Sequence, residues 1–519
     1  MPNIVVDKGT RTRNASVKIT SQHTIACAHE GSLKDLPSPF PLGPFDQLAV
    51  HYLPVTVIFV YDIARSSGDD PISVPRLQQA YSRLLDYYPH LTGRRRIDPT
   101  DGTVAIDRLG SGAALYTAEC DKPLDAFRTK SSDGQTRLAM SDLPGSGVQL
   151  LAASESLLEG APDDPLLIIQ HTRFACGSVS LGVCLQHIVC DVNGCVQLAR
   201  DLAEIYRGIV AAEATGGTYL DVVLKEAPCI QAHIPENALD SSLPELVNNY
   251  EKETGHANDI PATAPPPPVV GKILRFSGKE LKALKDAATD EKDGGWVSTF
   301  EALSAHLWQC VHRAPTKLDP SRAEGSGETL DSCSDLLAPV NCRSRLRLPA
   351  RYFPNAILCP IARLPFRTLE HASLAEIAHT LHDMVQDVTP ERAEGTLRHI
   401  LAQPDKGAIK HRYRHGLGSF AVSAWNKVDM YGVSFGGNAN GEPIAPVLVS
   451  PPYTPINLVD GLAFYLPTES SHGSDEVIPP IDVSLTLHAP VWEVLEKDPN
   501  FRKFKQYSGY WFAQYTYTL

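Results

Sequence analysis

Between Glu226 and Val270 the chain abandons the periodicities of packed structure. The stretch holds many prolines, including the run Pro265–Pro268, and few apolar residues at helix or strand spacing. Proline has no backbone N–H to give and fixes its own φ, so such a segment resists incorporation into a helix or a central strand. Regular patterning resumes on either side. With 519 residues the chain is too long for one hydrophobic core, and two domains of roughly 200 residues each are expected. The interruption therefore reads as a crossover, 226–270, joining a first domain over 1–225 to a second over 271–519.

Composition narrows the class. The chain is 43% hydrophobic and 21% charged, an ordinary globular balance. No uninterrupted apolar run reaches bilayer length, and MPNIVVDKGTRTRNASVKIT lacks the apolar core of a secretory signal. A cytoplasmic chain without a membrane span is expected, and the sequon Asn14-Ala15-Ser16 is then idle. Eleven cysteines, an odd number with no C-x-x-C pair, point to reduced, buried thiols and to no metal site. A formal net charge of −13 argues against a nucleic-acid partner. It leaves room for a polyanionic small molecule, which needs only a local basic pocket.

Helices and strands alternate along the chain. Val74-Pro75 opens a helix with Leu77, Ala80, Leu84 and Tyr88 on one face, and Pro89 closes it. Leu166–Ile169 reads as a short buried strand. Val179, Leu181, Val183, Leu185 and His187 alternate onto one face of another. Cys195, Leu198, Ala199, Leu202, Ile205 and Tyr206 then recur at helical spacing. Ser277 with Glu280, and Ser298 with Glu301, fit capping boxes; the second opens a helix striped by Phe300, Leu303, Leu307, Trp308 and Val311. A loop rich in Gly, Ser and Glu is expected over 316–331.

His187 and Asp191 form an H-x-x-x-D pair at the end of the alternating strand. An imidazole there sits at the edge of the core and takes a proton from a hydroxyl at neutral pH. The spacing alone is weak evidence, because His379 and Asp383 repeat it inside an amphipathic helix, where it reads as a solvated i, i+4 ion pair. A rival signal is Gly432-Val433-Ser434-Phe435-Gly436, which fits the G-x-S-x-G of a serine hydrolase. Its flanks disagree: no clean strand precedes it and GNANGEPIAP cannot start a helix, although Asp460 or Asp482 with His488 supply the residue types for a triad. Cys190 near His187 raises a Cys–His nucleophile, but Cys176, Cys184, Cys190 and Cys195 all lie in one apolar stretch and read as small buried fillers. The basic run Asn341-Cys342-Arg343-Ser344-Arg345-Leu346-Arg347 is either a solvated strand edge or a partner for a buried carboxylate or a phosphate.

In order along the chain, LQQAYSRLLDYYPHLTGRRR, FACGSVSLGVCLQHIVCDVNG, WVSTFEALSAHLWQCVHRA, VNCRSRLRLPARYFPNAI and SAWNKVDMYGVSFGG resemble segments of the BAHD-type acyltransferases, in their fungal-like branch. The resemblance covers most of the chain. It implies an α/β fold of two chloramphenicol-acetyltransferase-like domains, each a mixed sheet flanked by helices, joined by the long crossover, with C-terminal strands lent to the first domain. It implies an acyl-CoA co-substrate, no permanently bound cofactor, and a small-molecule alcohol or amine acceptor for a monomeric enzyme of specialised metabolism. By the same resemblance His187 is the general base. Asp191 is structural, paired with Arg343 or, as second choice, Arg345, and Gly194 supports the turn. Ser423 and Trp425 help hold the reacting carbonyl, and Ser434-Phe435-Gly436 falls on the structural D-F-G-W-G loop. Two departures stand out: Val192 replaces the glycine that usually follows the motif Asp, with Gly194 two residues later, and Ser434 and Gly437 replace the usual Asp and Trp. Beside the transferase two other readings stay open, a hydrolase using Ser434 and a non-catalytic relative that binds acyl-CoA.

Overall fold

The computed structural model describes residues 16–49, 53–65, 71–130, 136–152, 163–236, 250–252, 267–289, 295–318, 333–416, 418–436, 442–469 and 478–504. Residues 1–15, most of the expected crossover, most of the loop at 316–331, and Gly437 lie outside them.

Two six-stranded mixed sheets dominate. The first runs in the order Val17–Ile25, Ala113–Cys120, Leu167–Phe174, Val179–Gln186, Pro54–Tyr61 and Leu448–Ser450. All its neighbours are antiparallel except 113–120 with 167–174. The second runs Val269–Phe276, Ile481–His488, Leu462–Pro467, Phe420–Ala424, Cys333–Leu337 and Ile361–Pro365. The strand at 448–450 comes from the far end of the chain and closes the edge of the first sheet against Ile58–Val60.

Each sheet packs helices on one face. Val74–Leu85 and Val192–Ala214 cover the first and share a core with Val179, Leu181, Val183 and Leu185. Helices Gly278–Ala288, Thr299–Leu318, Leu374–Gln386 and Ala489–Leu495 cover the second. Both capping boxes form: Ser277 and Glu280 exchange bonds, as do Ser298 and Glu301. A smaller cluster seats Phe45, from the turn Pro44–Gln47, among Val340, Cys342, Tyr352, Ala356 and Leu397. An early turn is thereby buried against the second half, which positions the site.

The strand Val179–Gln186 is buried on both faces. Val179 to Leu185 alternate into the helical core, while Ser180, Gly182 and Cys184 face the other way and are buried too. Gly182 has to be glycine: a Cβ there would stand 2.1 Å from the Leu150 carbonyl oxygen. No helix among the described residues is long and apolar enough to cross a membrane.

Candidate active site

His187 is the first residue past the strand end, half-buried, with its backbone N–H on the Leu53 carbonyl. Its Nδ1 lies 3.1 Å from the side-chain oxygen of Asn355. The orientation of that amide follows from its other partners. Asn355 Nδ2 donates to Asp46 Oδ1 at 2.8 Å and to the His187 carbonyl at 2.8 Å, so both its hydrogens are engaged on acceptors. The atom facing the ring is therefore the oxygen, and Nδ1 must carry the proton. Nε2 is left with its lone pair, and it has no hydrogen-bond partner among the described residues. An imidazole in this tautomer accepts a proton at Nε2.

Asp46 closes the chain of contacts. Its Oδ1 accepts from both the backbone N–H and the side chain of Asn355, and its Oδ2 accepts from Gly43 N–H at 2.8 Å. Burial lifts its carboxyl to about 7, against the pull of those N–H donors. Nothing in the sequence marks Asp46 or Asn355 as a site residue. The only available signal was a polar residue inside an apolar turn in each case, FPLGPFDQL and YFPNAI.

Asp191 points away from this chemistry. It caps the helix Val192–Ala214 by accepting from Asn193 and Gly194 N–H. It also forms a two-pronged ion pair with Arg343, at 2.8 and 3.0 Å, and accepts from Ala356 N–H at 3.0 Å. Arg343 holds the Tyr352 and Pro354 carbonyls as well, at 3.1 and 2.8 Å. The pair thus grips the segment 352–356 on both sides of Asn355. Arg345 is turned elsewhere, to the Asn341 and Val385 carbonyls. Gly194 admits that segment: a Cβ would meet the Phe353 carbonyl oxygen at 2.2 Å and Cys190 Cβ at 2.7 Å.

Ser423 and Trp425 flank the end of the strand Phe420–Ala424. Phe420 and Val422 belong to the second core, so by alternation Ser423 faces away from it. Trp425 joins the first core, which also holds Ile188 and Val189 beside His187. The Trp425 indole N–H donates to Ser423 Oγ at 2.8 Å. This engages the one donor of the indole and leaves the serine hydroxyl hydrogen for another acceptor.

The rival signals do not assemble into a triad with Ser434. Ser434 donates to the Gly432 carbonyl, and its own carbonyl is held by Arg207. Phe435 packs edge-on to Tyr61 and Tyr206 and pairs with Ile444, so the G-x-S-x-G segment is a packed loop. His488 does meet Asp460, which accepts its backbone N–H at 2.7 Å and stands 3.8 Å from its Nε2. Its Nδ1 is held by the Pro267 carbonyl, Asp482 is paired with Arg275, and the Ser434 hydroxyl is turned to Gly432, with neither. Burial pushes the Cys184 and Cys195 thiols up to about 12 and Cys190 well above the usual thiol range, which removes a thiolate nucleophile. Cys176 departs from the expectation of a buried filler: it lies exposed in the turn between two strands. His379 departs from the expected ion pair with Asp383, because its Nδ1 bonds to the Ala375 carbonyl one helical turn back. Among the described residues no group of three or more His, Cys, Asp or Glu is placed to hold a metal.

A cavity of about 490 Å³, lined in part by Arg128, Arg275, Tyr431, Leu448 and Asp482, lies elsewhere. Leu448 pairs with Val60, whereas Gln186 beside the site pairs with Pro54. Six residues of strand, roughly 20 Å, separate the two positions. Arg128 and Arg275 there are already paired with Asp62 and Asp482.

Paired mixed sheets, helices on one face of each, and a histidine at a strand end define the chloramphenicol-acetyltransferase-like class of acyltransferase. The comparisons carry this further. The model of the Transferase family matches residues 15–474, and the chain belongs to that family, the BAHD acyl-CoA-dependent acyltransferases. It is 24% identical over 428 residues to shikimate O-hydroxycinnamoyltransferase of Nicotiana tabacum, covering 81% of this chain and 86% of that one. It is 25% identical over 452 residues to a hydroxycinnamoyl-CoA:5-hydroxyanthranilate N-hydroxycinnamoyltransferase of Avena sativa, covering 85% and 90%. The fold matches that of F. graminearum TRI101, solved in complex with coenzyme A and T-2 mycotoxin, with a TM-score of 0.65 at 18% identity over 90% of this chain and 98% of that one. Vinorine synthase matches with a TM-score of 0.63 at 17% identity, over 93% and 98%.

Proposed function

We propose that the chain transfers an acyl group directly from acyl-CoA to a hydroxyl, or an amine, of a small-molecule acceptor, with His187 as general base. The observation that carries this is the bond from His187 Nδ1 to the side-chain oxygen of Asn355, which leaves Nε2 unprotonated. In this reading Nε2 takes the acceptor's proton as its oxygen or nitrogen attacks the thioester carbonyl. The tetrahedral oxyanion needs a donor, and Ser423 Oγ–H, held by Trp425, is the candidate. On collapse the C–S bond breaks and His187 returns its proton to the CoA thiolate. General-base catalysis contributes roughly 10²–10⁴-fold, and holding two substrates in line supplies much of the rest. Asp191 and Arg343 act as structural support and Gly194 as the close-approach glycine. The division at 1–225, 226–270 and 271–519 belongs to the same proposal, as does a monomeric, cytoplasmic enzyme of specialised metabolism. O-acylation is favoured as the main activity, with N-acyl transfer kept because the relatives include both kinds.

The test is release of free CoA thiol from a panel of acyl-CoAs with a pool of small alcohols and amines. Wild type is run beside His187→Ala and Ser434→Ala. Acceptor-dependent release lost only in the His187 variant supports the proposal. Loss only in the Ser434 variant overturns it in favour of a hydrolase, and tight acyl-CoA binding without turnover of any donor favours a non-catalytic relative.

A further inference from the structure

We infer that Asp46 is a positioning residue for His187, acting through Asn355; the inference rests on His187 being the base. A primary amide presents two ends of nearly the same shape, and only its partners distinguish them. Were Asn355 flipped, its NH₂ would face His187 Nδ1, which would then have to accept. The ring proton would move to Nε2, and the lone pair needed for the acceptor would be gone. Asp46 prevents the flip. A flipped amide would set the Asn355 oxygen against Asp46 Oδ1 and against the His187 carbonyl oxygen, at positions where donors now stand at 2.8 Å. Both sites are buried, Asp46 at 1% and Asn355 at 1% exposure, so water cannot relieve two such acceptor–acceptor contacts.

Asp46 is itself fixed from two sides. Oδ1 also accepts the Asn355 backbone N–H at 3.1 Å, and Oδ2 caps its own turn through Gly43 N–H. The side chain cannot rotate without losing both. Both oxygens of Asp46 face N–H donors, Oδ1 the backbone and amide of Asn355 and Oδ2 Gly43, so the NH₂ end of the amide turns to Asp46 and its oxygen to the histidine. The sequence separation is 309 residues between Asp46 and Asn355 and 168 between Asn355 and His187. The base is therefore set by closure of the two halves, not by its own strand.

The test reads the tautomer independently of turnover. Full-length protein is labelled with ¹⁵N-histidine, and the His187 ring signals are assigned by their loss in His187→Ala. Wild type should show a protonated Nδ1 and a bare Nε2. Asp46→Ala removes the acceptor that fixes the amide, so Asn355 should sample both orientations and bring in a protonated Nε2. Its kcat should fall on the order of 10²-fold, below the roughly 10⁴-fold seen when the orienting carboxylate of a catalytic triad is neutralised, with KM for acyl-CoA changed less than about threefold. Asp46→Ser, smaller and still polar, should do the same if the Ala variant fails to fold, and Asn355→Ala gives the reference for a severed link. A wild-type ring protonated on Nε2, or Asp46 variants with wild-type ring signals and kcat, overturns the inference. If instead His187→Ala keeps full activity, it is the general-base reading that fails, whatever the tautomer.

Discussion

Removing the Arg343 guanidinium tests whether the site is braced from behind or whether this arginine serves the co-substrate. Asp191 is 2% exposed and receives five N–H contacts, two of them from Arg343. Arg343→Met leaves a buried carboxylate with three backbone donors and no countercharge. Breaking one side of such a pair costs about 3–5 kcal/mol. The variant also orphans the Tyr352 and Pro354 carbonyls, at about 1 kcal/mol or more each. Asp191→Asn is milder: the guanidinium keeps both carbonyls and, at 18% side-chain exposure, reaches water. The double variant should cost little more than Arg343→Met alone, giving a coupling of about 2–3 kcal/mol in a double-mutant cycle. Chemical denaturation of the four proteins measures it. In steady-state kinetics the arginine variant should lose kcat by roughly 10²-fold, through displacement of Asn355, while KM for acyl-CoA stays within about threefold. Strict additivity of the two substitutions would refute the brace. A rise in KM with unchanged kcat would refute it too, since that is what loss of a phosphate contact would give.

Two further outcomes follow from the same geometry. Gly194→Ala sits in a helix, where alanine alone would gain about 1 kcal/mol. Its methyl meets a backbone oxygen at 2.2 Å, so the variant should instead lose about 2 kcal/mol or more and lose activity with it, read by thermal denaturation and CoA release; a stabilised, active variant would mean that the segment 352–356 yields easily. Thiol labelling at pH 8 should modify Cys176 fast and leave Cys184 and Cys195 untouched, because their thiols ionise only near pH 12 in the folded chain; mass spectrometry of the labelled peptides checks it, and early labelling of Cys184 would contradict the packing of the strand.

The strand and helix around His187 were legible because each obeys its own period, two and then three to four residues. The spacing H-x-x-x-D was not legible as a site. His379 and Asp383 share it, and there the ring turns back along the helix to Ala375. What separates the two is that His187 stands at a strand end, where the four-residue step spans a turn and a helix cap. The pairing of Asp191 was legible only to within two arginines, because Arg343 and Arg345 lie in one irregular turn whose directions no period fixes. Asn355 and Asp46 were illegible for a stronger reason: their roles exist only after segments hundreds of residues apart have met. Cys176 breaks the expectation of burial because the apolar stretch around it contains the tight turn between its two strands.

The two departures from the family pattern bear on that closure in different ways. Val192 in place of glycine leaves the helix cap intact. It opens the helix with its side chain against the first core, and the cap is supplied by the Asp191 carboxylate. The position that cannot bear a Cβ is the third residue of the helix, where the Phe353 carbonyl presses in, and there the chain keeps Gly194. Ser434 in place of aspartate removes a charge from the loop, yet the loop is held by groups that do not need it: Arg207 binds the serine's carbonyl, Tyr61 the carbonyl of Val433, and Phe435 fills the core between Tyr61 and Tyr206. Both substitutions therefore fall where backbone atoms make the essential contacts. The side chains that the proposed proton transfer depends on, His187, Asn355 and Asp46, form an unbroken line of hydrogen bonds from one half of the chain to the other and back.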